Sequence, residues 1–181
     1  MDPENDGAMA KNQFVTDENG LHYVDGYGVM QVNKIVQVDG NSFFVDGYGI
    51  MKTSSWFQNA GKWYYVGEDG VIKKGIQELD GIKYLFDTAT GEMKTNTWYQ
   101  VGGAWHHSDG YGRVLTGWQQ FGGNWYYLDP ENDGAMAKGL TTIEDITYYL
   151  DGYGIMQKNT TVTVNGIRYV IDGYGRAKVA Q

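Results

Sequence analysis

The stretch Ser54–Lys74, SSWFQNAGKWYYVGEDGVIKK, decides the fold. It opens on an alternating run (Trp56, Gln58) and passes through a Gly-containing turn. It continues as an aromatic run (Trp63-Tyr64-Tyr65), meets a second turn and ends on the apolar pair Val71-Ile72. Both runs are short, rich in aromatic and β-branched residues, and bounded by Asn, Asp and Gly, which is the signature of a β-hairpin. Helical periodicity is absent, and no segment between glycines exceeds 12 residues, the short end of the 11–18 over which it would show. Alternation along the second run places Trp63 and Tyr65 on one strand face and Tyr64 on the other, so one face of the hairpin must be packing.

The same pattern recurs along the chain. The second turn is opened by Asp25, Asp46, Gly67, Asp87, Asp109, Asp129, Asp151 and Asp172, a repeat of about 21 residues present eight times. At five of these turns the letters are identical: DGYG at 25–28, 46–49, 109–112, 151–154 and 172–175. Asp-Gly supplies the positive φ of tight turns. The expected fold is therefore all-β, a β-solenoid of stacked hairpins in which each hairpin buries its neighbour's apolar face. The array is read as one domain over 1–181. A partial repeat occupies 1–11, followed by repeats at about 12–32, 33–53, 54–74, 75–95, 96–116, 117–138, 139–158 and 159–181. The segment DPENDGAMAK at 2–11 recurs letter for letter at 129–138, which reads as an array cut from a longer one. With no distinct polar cap at either end, self-association through the ends is expected. Met9, Met30, Met51, Met93, Met136 and Met156 occupy equivalent positions and are expected to form one continuous buried column. The DGYG tyrosine is expected to be a rigid, exposed aromatic at the lip of each turn.

Composition narrows function. The net charge is −8, with no Lys/Arg cluster, which argues against a nucleic-acid partner. No apolar run approaches the ~20 residues of a membrane span. There are no cysteines, so disulfide frameworks and thiolate metal sites are excluded. His106-His107 followed by Asp109 stand where sibling repeats carry Tyr-Tyr, and neighbours in a strand point to opposite faces, so they read as structural substitutions rather than metal ligands. DPENDG from Asp129 begins like a calcium-binding EF-hand loop, yet its twelfth position is Leu140 where a bidentate Glu is required. A turn one residue longer than its siblings is expected there instead. No nucleophile–base grouping, phosphate loop or dinucleotide fingerprint occurs. No catalytic site, metal or cofactor is expected.

The segment GWQQFGGNWYYLDPENDGAMAKGL (117–140) resembles the cell-wall-binding type repeat, roughly GWxxxxGxWYYLDxxGxMxTG, and the resemblance extends in register over essentially the whole chain. That family includes choline-binding modules of bacterial surface proteins, glucan-binding domains (domain V) of glucansucrases and the C-terminal repeats of large clostridial toxins. The resemblance implies a secreted, cell-surface-associated β-solenoid with ligand pockets between or beside consecutive repeats.

Two ligand chemistries compete. A quaternary ammonium needs a cage of aromatic faces, which choline-binding repeats supply with two tryptophans and an aromatic from the next repeat. Tryptophans here come in pairs seven apart: Trp56 and Trp63, Trp98 and Trp105, Trp118 and Trp125. Elsewhere those positions hold Ile35 and Ser42, Ile76 and Lys83, Leu140 and Thr147, and Thr161 and Arg168. Only Trp98, Trp105, Trp118 and Trp125 lie in adjacent repeats, so one choline cage at most is expected. A glucose unit asks instead for one aromatic platform and for amide, ammonium or carboxylate partners for its hydroxyls. Gln31, Lys52, Lys73, Lys94, Gln157 and Lys178 recur just after the Met position, and Gln37, Gln58, Gln100 and Gln120 lie two residues past the opening one. In the glucan-binding relatives a Tyr, a Gln and a Lys line the sugar pocket. The fullest matches are Tyr23, Tyr27, Gln31, Lys34 and Gln37, and then Tyr148, Tyr149, Tyr153, Gln157 and Lys158. The sequence thus points to a non-catalytic module binding α-glucan of dextran type or isomaltooligosaccharides. A choline-binding wall anchor or a toxin-type repeat binding cell-surface oligosaccharide is the alternative.

Overall fold

The computed structural model describes residues 9–181. The partial repeat expected over 1–11 lies outside the described residues except for its last three positions.

The described chain is all β, a solenoid built of repeated antiparallel hairpins. These are β1 (Gln13–Asp17) with β2 (Gly20–Val24), β3 (Lys34–Val38) with β4 (Asn41–Val45), β5 (Ser55–Asn59) with β6 (Lys62–Val66), and β7 (Gly75–Leu79) with β8 (Ile82–Phe86). They continue as β9 (Trp98–Val101) with β10 (Ala104–His107) and β11 (Gly117–Phe121) with β12 (Asn124–Asp129), to which the short β13 (Ala135–Met136) adds. Then come β14 (Gly139–Ile143) with β15 (Ile146–Leu150), and β16 (Thr160–Val164) with β17 (Ile167–Ile171) and β18 (Ala177–Val179). The hairpins group into two compact units. One holds the described residues up to Gln77 with Leu85–Lys94, the other Glu78–Tyr84 with Thr95–Gln181.

Three local constraints write the repeat. Most hairpins close on two residues that both have positive φ, as in Asp39-Gly40 and Ala60-Gly61, the turn whose twist matches that of the flanking strands. Each first strand begins on or just after a left-handed hinge: Asn12, Asn33, Ser54, Gly75, Asn96, Gly117, Gly139 and Asn159 all have φ between 40° and 75°. Asn and Gly tolerate that region best, which accounts for their dominance there. The hinge N–H also closes the repeat on itself, donating to the carbonyl of its turn-opening residue, as Asn33 does to Asp46 at 2.9 Å and Asn159 to Asp172 at 3.1 Å.

The DGYG turn supplies the third constraint, and each letter has its own cause. The Asp Oδ1 accepts two backbone N–H groups, from Tyr27 and Val29 in the first turn (2.9 and 3.0 Å) and from Tyr153 and Ile155 in the seventh (2.8 and 3.0 Å). A Cβ on the first Gly would press on the hinge Asn where one is present and close, 3.3 Å away for Gly26 and Asn12 and 3.2 Å for Gly173 and Asn159. The second Gly has positive φ, and the Met of the preceding repeat fills the space beside it. A Cβ on Gly154 would lie 2.5 Å from Met136 Sδ, and one on Gly49 2.9 Å from Met30 Sδ.

That packing corrects the expected Met column. Met9 and Met30 are exposed and Met51, Met93, Met136 and Met156 only half-buried; all but Met93 lie over the glycine of the next turn rather than in the interior. The buried column is instead the residue just before each turn-opening position. In the first unit it comprises Val24, Val45, Val66 and Phe86, and in the second Ser108, Leu128, Leu150 and Ile171. Flanking it in the first unit are Phe44 and Phe57, stacked 4.0 Å apart, and Tyr64 beyond Phe57 at 5.1 Å. Successive hairpins are also tied by a backbone bond. Met51, Ile72 and Met93 donate to the carbonyls of Leu21, Ser42 and Trp63 in the first unit, and Val114 and Met156 to those of Lys83 and Trp125 in the second, all at 2.8 Å.

Ser108 breaks the column's rule. It is wholly buried, and its Oγ has no hydrogen-bond partner among the described residues. An orphaned buried hydroxyl costs about 1–3 kcal/mol, and Val stands at the equivalent positions 24, 45 and 66. Ser108→Val should raise the thermal midpoint by roughly 2–12 °C, at about 2–4 °C per kcal/mol for a chain of this size. A lowered midpoint in calorimetry would mean that the hydroxyl is satisfied.

Candidate functional site

The turn aspartates account for the recurrent glutamines and lysines. With Oδ1 engaged by the backbone, most of these aspartates turn Oδ2 to a long side chain further along the repeat. Gln31 Nε2 donates to Asp25 (2.8 Å), Gln157 Nε2 to Asp151 (2.7 Å) and Lys94 Nζ to Asp87 (2.8 Å). Arg113 and Arg176 do the same for Asp109 and Asp172 through Nε, both at 2.7 Å. Lys34 Nζ in turn donates to Gln31 Oε1 at 3.0 Å, and Gln37 Nε2 to Ser42 Oγ at 2.8 Å. These side chains clamp turns and hairpins. At Asp87, burial alone would raise the carboxyl pKa, yet the Lys94 ammonium and the N–H groups of Thr90 and Ala89 outweigh it and hold the group far below the usual carboxylate range. Asp109 and Asp172 are likewise held low, burial being overcome by the backbone N–H and guanidinium of Arg113 and of Arg176.

The predicted sugar residues therefore separate by role. Tyr23 is buried against Val36 and Val45, so it is core and offers no platform. Gln31, Lys34, Gln37 and Gln157 are engaged as above. Tyr149 is half-buried, and Tyr148 packs edge-on against Trp118 at 4.9 Å. Tyr27 and Tyr153 stand at the lip of their turns, as do Tyr48, Tyr111 and Tyr174, all between 74% and 83% exposed. Arg113 and Arg176 cover one face of Tyr111 and Tyr174 at 5.1 and 5.0 Å. Lys158 and Gln157 line a cavity of about 300 Å³ with Asn124 and Trp125.

The tryptophans assemble differently from the four-Trp cage expected. Trp98 and Trp105 lie on one face of the β9–β10 hairpin, where His107 pairs with Trp98 and Trp105 with Gln100. Their third ring is Tyr126 of the next hairpin, 5.2 Å from Trp98, rather than Trp118 or Trp125. Trp118 and Trp125 meet at 6.4 Å and 82°, with Tyr148 as their third ring. The rule is thus two tryptophans of one repeat and the first tyrosine of the next. Trp98, Trp105 and Tyr126 wall an open cavity of about 490 Å³, which Met136, Lys138 and the lip Tyr153 complete. No carboxylate lines it. The sequence signal for Tyr126 was present in the WYY motif and in the cage's need for an aromatic from the next repeat.

The long turn after β12 shapes this neighbourhood. Asp129 caps the single 3₁₀ turn Pro130–Asn132 by accepting from Glu131 N–H at 3.0 Å. Gly134 N–H reaches the Asp129 carbonyl five positions back, against three for Gly28 and Asp25, so the turn is two residues longer than its siblings rather than one. Asp133 pairs with Lys83 at 2.6 Å, which lowers its pKa. Its carbonyl lies 3.1 Å from His106 Nδ1 and can only accept, so that nitrogen carries the proton. His107 stacks on Phe121 at 4.1 Å and meets Trp98 edge-on at 5.0 Å, directly behind the cavity wall. Both histidines are buried, and no group of His, Asp and Glu among the described residues could hold a metal.

A family profile described as choline-binding repeat matches residues 115–160, and one for a cell wall binding repeat matches 54–72. Both matched segments carry repeats of the cell-wall-binding, choline-binding type. Among solved structures it is similar to CbpJ from Streptococcus pneumoniae TIGR4, at 27% identity and a TM-score of 0.74 over 93% of this chain and 58% of that one. Choline binding protein F from Streptococcus pneumoniae, in the presence of a tetrasaccharide-pentapeptide peptidoglycan analogue, matches at 28% identity and TM-score 0.72, over 93% and 58%. The choline-binding domain of CbpL from the same organism matches at 25% and 0.67, over 93% and 87%. The chain thus spans a little under three fifths of the first two proteins. No curated protein matches it.

Two pH limbs follow from the buried charges. Burial lowers the pKa of His107, so the folded state favours the neutral ring. An unfolded His titrates near 6.5; between that value and the lower folded one the unfolded chain binds more protons, and stability falls as pH drops. Asp87, Asp109 and Asp172 are depressed too, so their contribution is present above about pH 4 and is lost on further acidification. The thermal midpoint should decline from pH 7.5 to 5.5 and again below pH 4. His107→Tyr should flatten only the first limb; an unchanged first limb would contradict the assignment.

Proposed function

We propose that this repeat array is a non-catalytic, cell-surface-associated carbohydrate-binding module that takes α-glucan chains of dextran type, with the cavity walled by Trp98, Trp105 and Tyr126 as its principal subsite. One observation carries the reading: three aromatic rings from two successive hairpins face a single open cavity whose polar reach comes from Lys138 and Tyr153. A pyranose has apolar C–H faces that stack on rings and a rim of hydroxyls that need donors and acceptors. Lys138 offers three N–H donors and Tyr153 a hydroxyl that gives or takes. The volume of about 490 Å³ suits an oligosaccharide rather than a single methylammonium group. Several weak sites along one array would act together on a polymer, since the second contact is then intramolecular.

A second reading rests on the same rings. Aromatic faces bind quaternary ammonium, and the structural relatives are named for choline. Against it stands the charge of the wall, a lysine with no carboxylate to offset it.

Lys138 separates the two readings. In native electrophoresis dextran should retard the protein while millimolar choline leaves it unmoved. Trp105→Ala should weaken dextran binding roughly two- to twelvefold, the range for one lost stacking contact. Lys138→Glu should weaken it too. If Lys138→Glu instead leaves dextran binding intact and the wild-type protein is stabilised by choline, the cavity is a choline cage.

A further inference from the structure

The first compact unit holds a second cavity, of about 380 Å³, lined by Asp17, Asn19, His22, Met30, Tyr48 and Ile50. None of these residues stood out in the sequence as a ligand group. Its register matches that of the tryptophan-walled cavity. His22 and Tyr126 each lie three residues before the turn-opening Asp, and Met30 and Met136 each occupy the Met position after that turn. Tyr48 with Ile50 stand in the following turn where Tyr153 with Ile155 do. The place in the repeat is shared and the chemistry is not: an imidazole stands where Tyr126 does, and a carboxylate of the same hairpin joins it where the other cavity has indoles of the preceding hairpin.

That carboxylate is held in one orientation. Asp17 Oδ1 accepts from Asn19 N–H (2.7 Å), from Gly20 N–H (3.1 Å) and from His22 Nε2 (3.0 Å), while no hydrogen bond among the described residues engages Oδ2. His22 is 6% exposed and its Nδ1 has no partner. The imidazole proton therefore sits on Nε2, and His22 acts as the fixed post of the aspartate. The Asn19 amide N–H, joined by the His22 and Gly20 donors, keeps the Asp17 pKa low and the group ionised. It can then only accept. Met30 and Ile50 give an apolar floor, and Ile50 is held to β2 by a bridge to His22. Tyr48 offers an exposed ring at the mouth.

We propose that this cavity is a second saccharide subsite, in which Tyr48 stacks a pyranose face and Asp17 Oδ2 accepts hydroxyl donors from its rim. An acceptor-only carboxylate beside a ring and an apolar floor selects a ligand with one apolar face and an edge of O–H donors. The inference rests on the carbohydrate reading above and adds a subsite without tryptophan, supplied by the other compact unit.

The test is isomaltotriose titrated into the full chain carrying ¹³C-methyl labels on Met and Ile. The Met30 and Ile50 signals should shift in wild type and equally in Trp105→Ala, where the Met136 and Ile155 shifts weaken. Tyr48→Ala and Asp17→Asn should each raise the dissociation constant read at Met30 by roughly three- to tenfold and leave the one read at Met136 unchanged. Shifts at Met136 and Ile155 with Met30 and Ile50 unmoved would overturn this subsite alone. Silence at both pockets would overturn the carbohydrate reading with it, and shifts at Met30 with choline but not with isomaltotriose would make it a cation site.

Discussion

Each repeat depends on one carboxylate. A four-residue turn that reverses the chain leaves backbone N–H groups pointing inward with no strand to receive them, and an unpaired buried N–H costs about as much as a lost hydrogen bond. The turn aspartate takes two of them on Oδ1 and leaves Oδ2 for a Gln, Lys or Arg of its own repeat. That arrangement fixes the glycines on either side of the tyrosine, holds the tyrosine outward, and sets the Met that follows against the next turn. Where Asp is displaced, as in Gly67-Glu68-Asp69, the carboxylate still reaches Val71 N–H at 3.0 Å and Lys73 at 3.1 Å. The clamp moves but is not lost.

Stacking multiplies this local rule. A post-turn segment donates one N–H to the preceding hairpin and the next to its own, as Met51 does to Leu21 and Lys52 to Phe44. A slip of one residue would turn the buried column outward and break both bonds. Register is therefore fixed by the same residues that close the turns. The second unit departs from this most at Ser108, His107 and His106, where polar groups occupy core positions behind Trp98.

The fold was legible because hairpin chemistry is local: period-two runs, Asp-Gly turns and a regular spacing identify it from the residues alone. The core was less so. Val24, Val45, Val66 and Leu128 are short, ordinary residues at strand ends, while the conspicuous methionines sit over glycines. The site divided along the same line. Exposure of the lip tyrosines followed from turn geometry, but Gln31 and Gln157 looked like ligand groups because nothing in a linear pattern shows that an aspartate six residues earlier has an oxygen to fill. Tyr126, His22 and Asp17 were missed because a pocket shared by successive hairpins draws on residues about a repeat apart, and residue spacing marks where they stand without showing which ones meet.

These constraints leave one cavity rich in indole and bordered by a single ammonium, and the class of ligand it accepts is the central claim. The most direct measurement is a crystal structure of the chain soaked with isomaltotriose and choline together. A pyranose seated among Trp98, Trp105 and Tyr126 with a hydroxyl at Lys138 Nζ is the predicted result. A trimethylammonium group in that place, with no sugar ring beside it, would contradict the account.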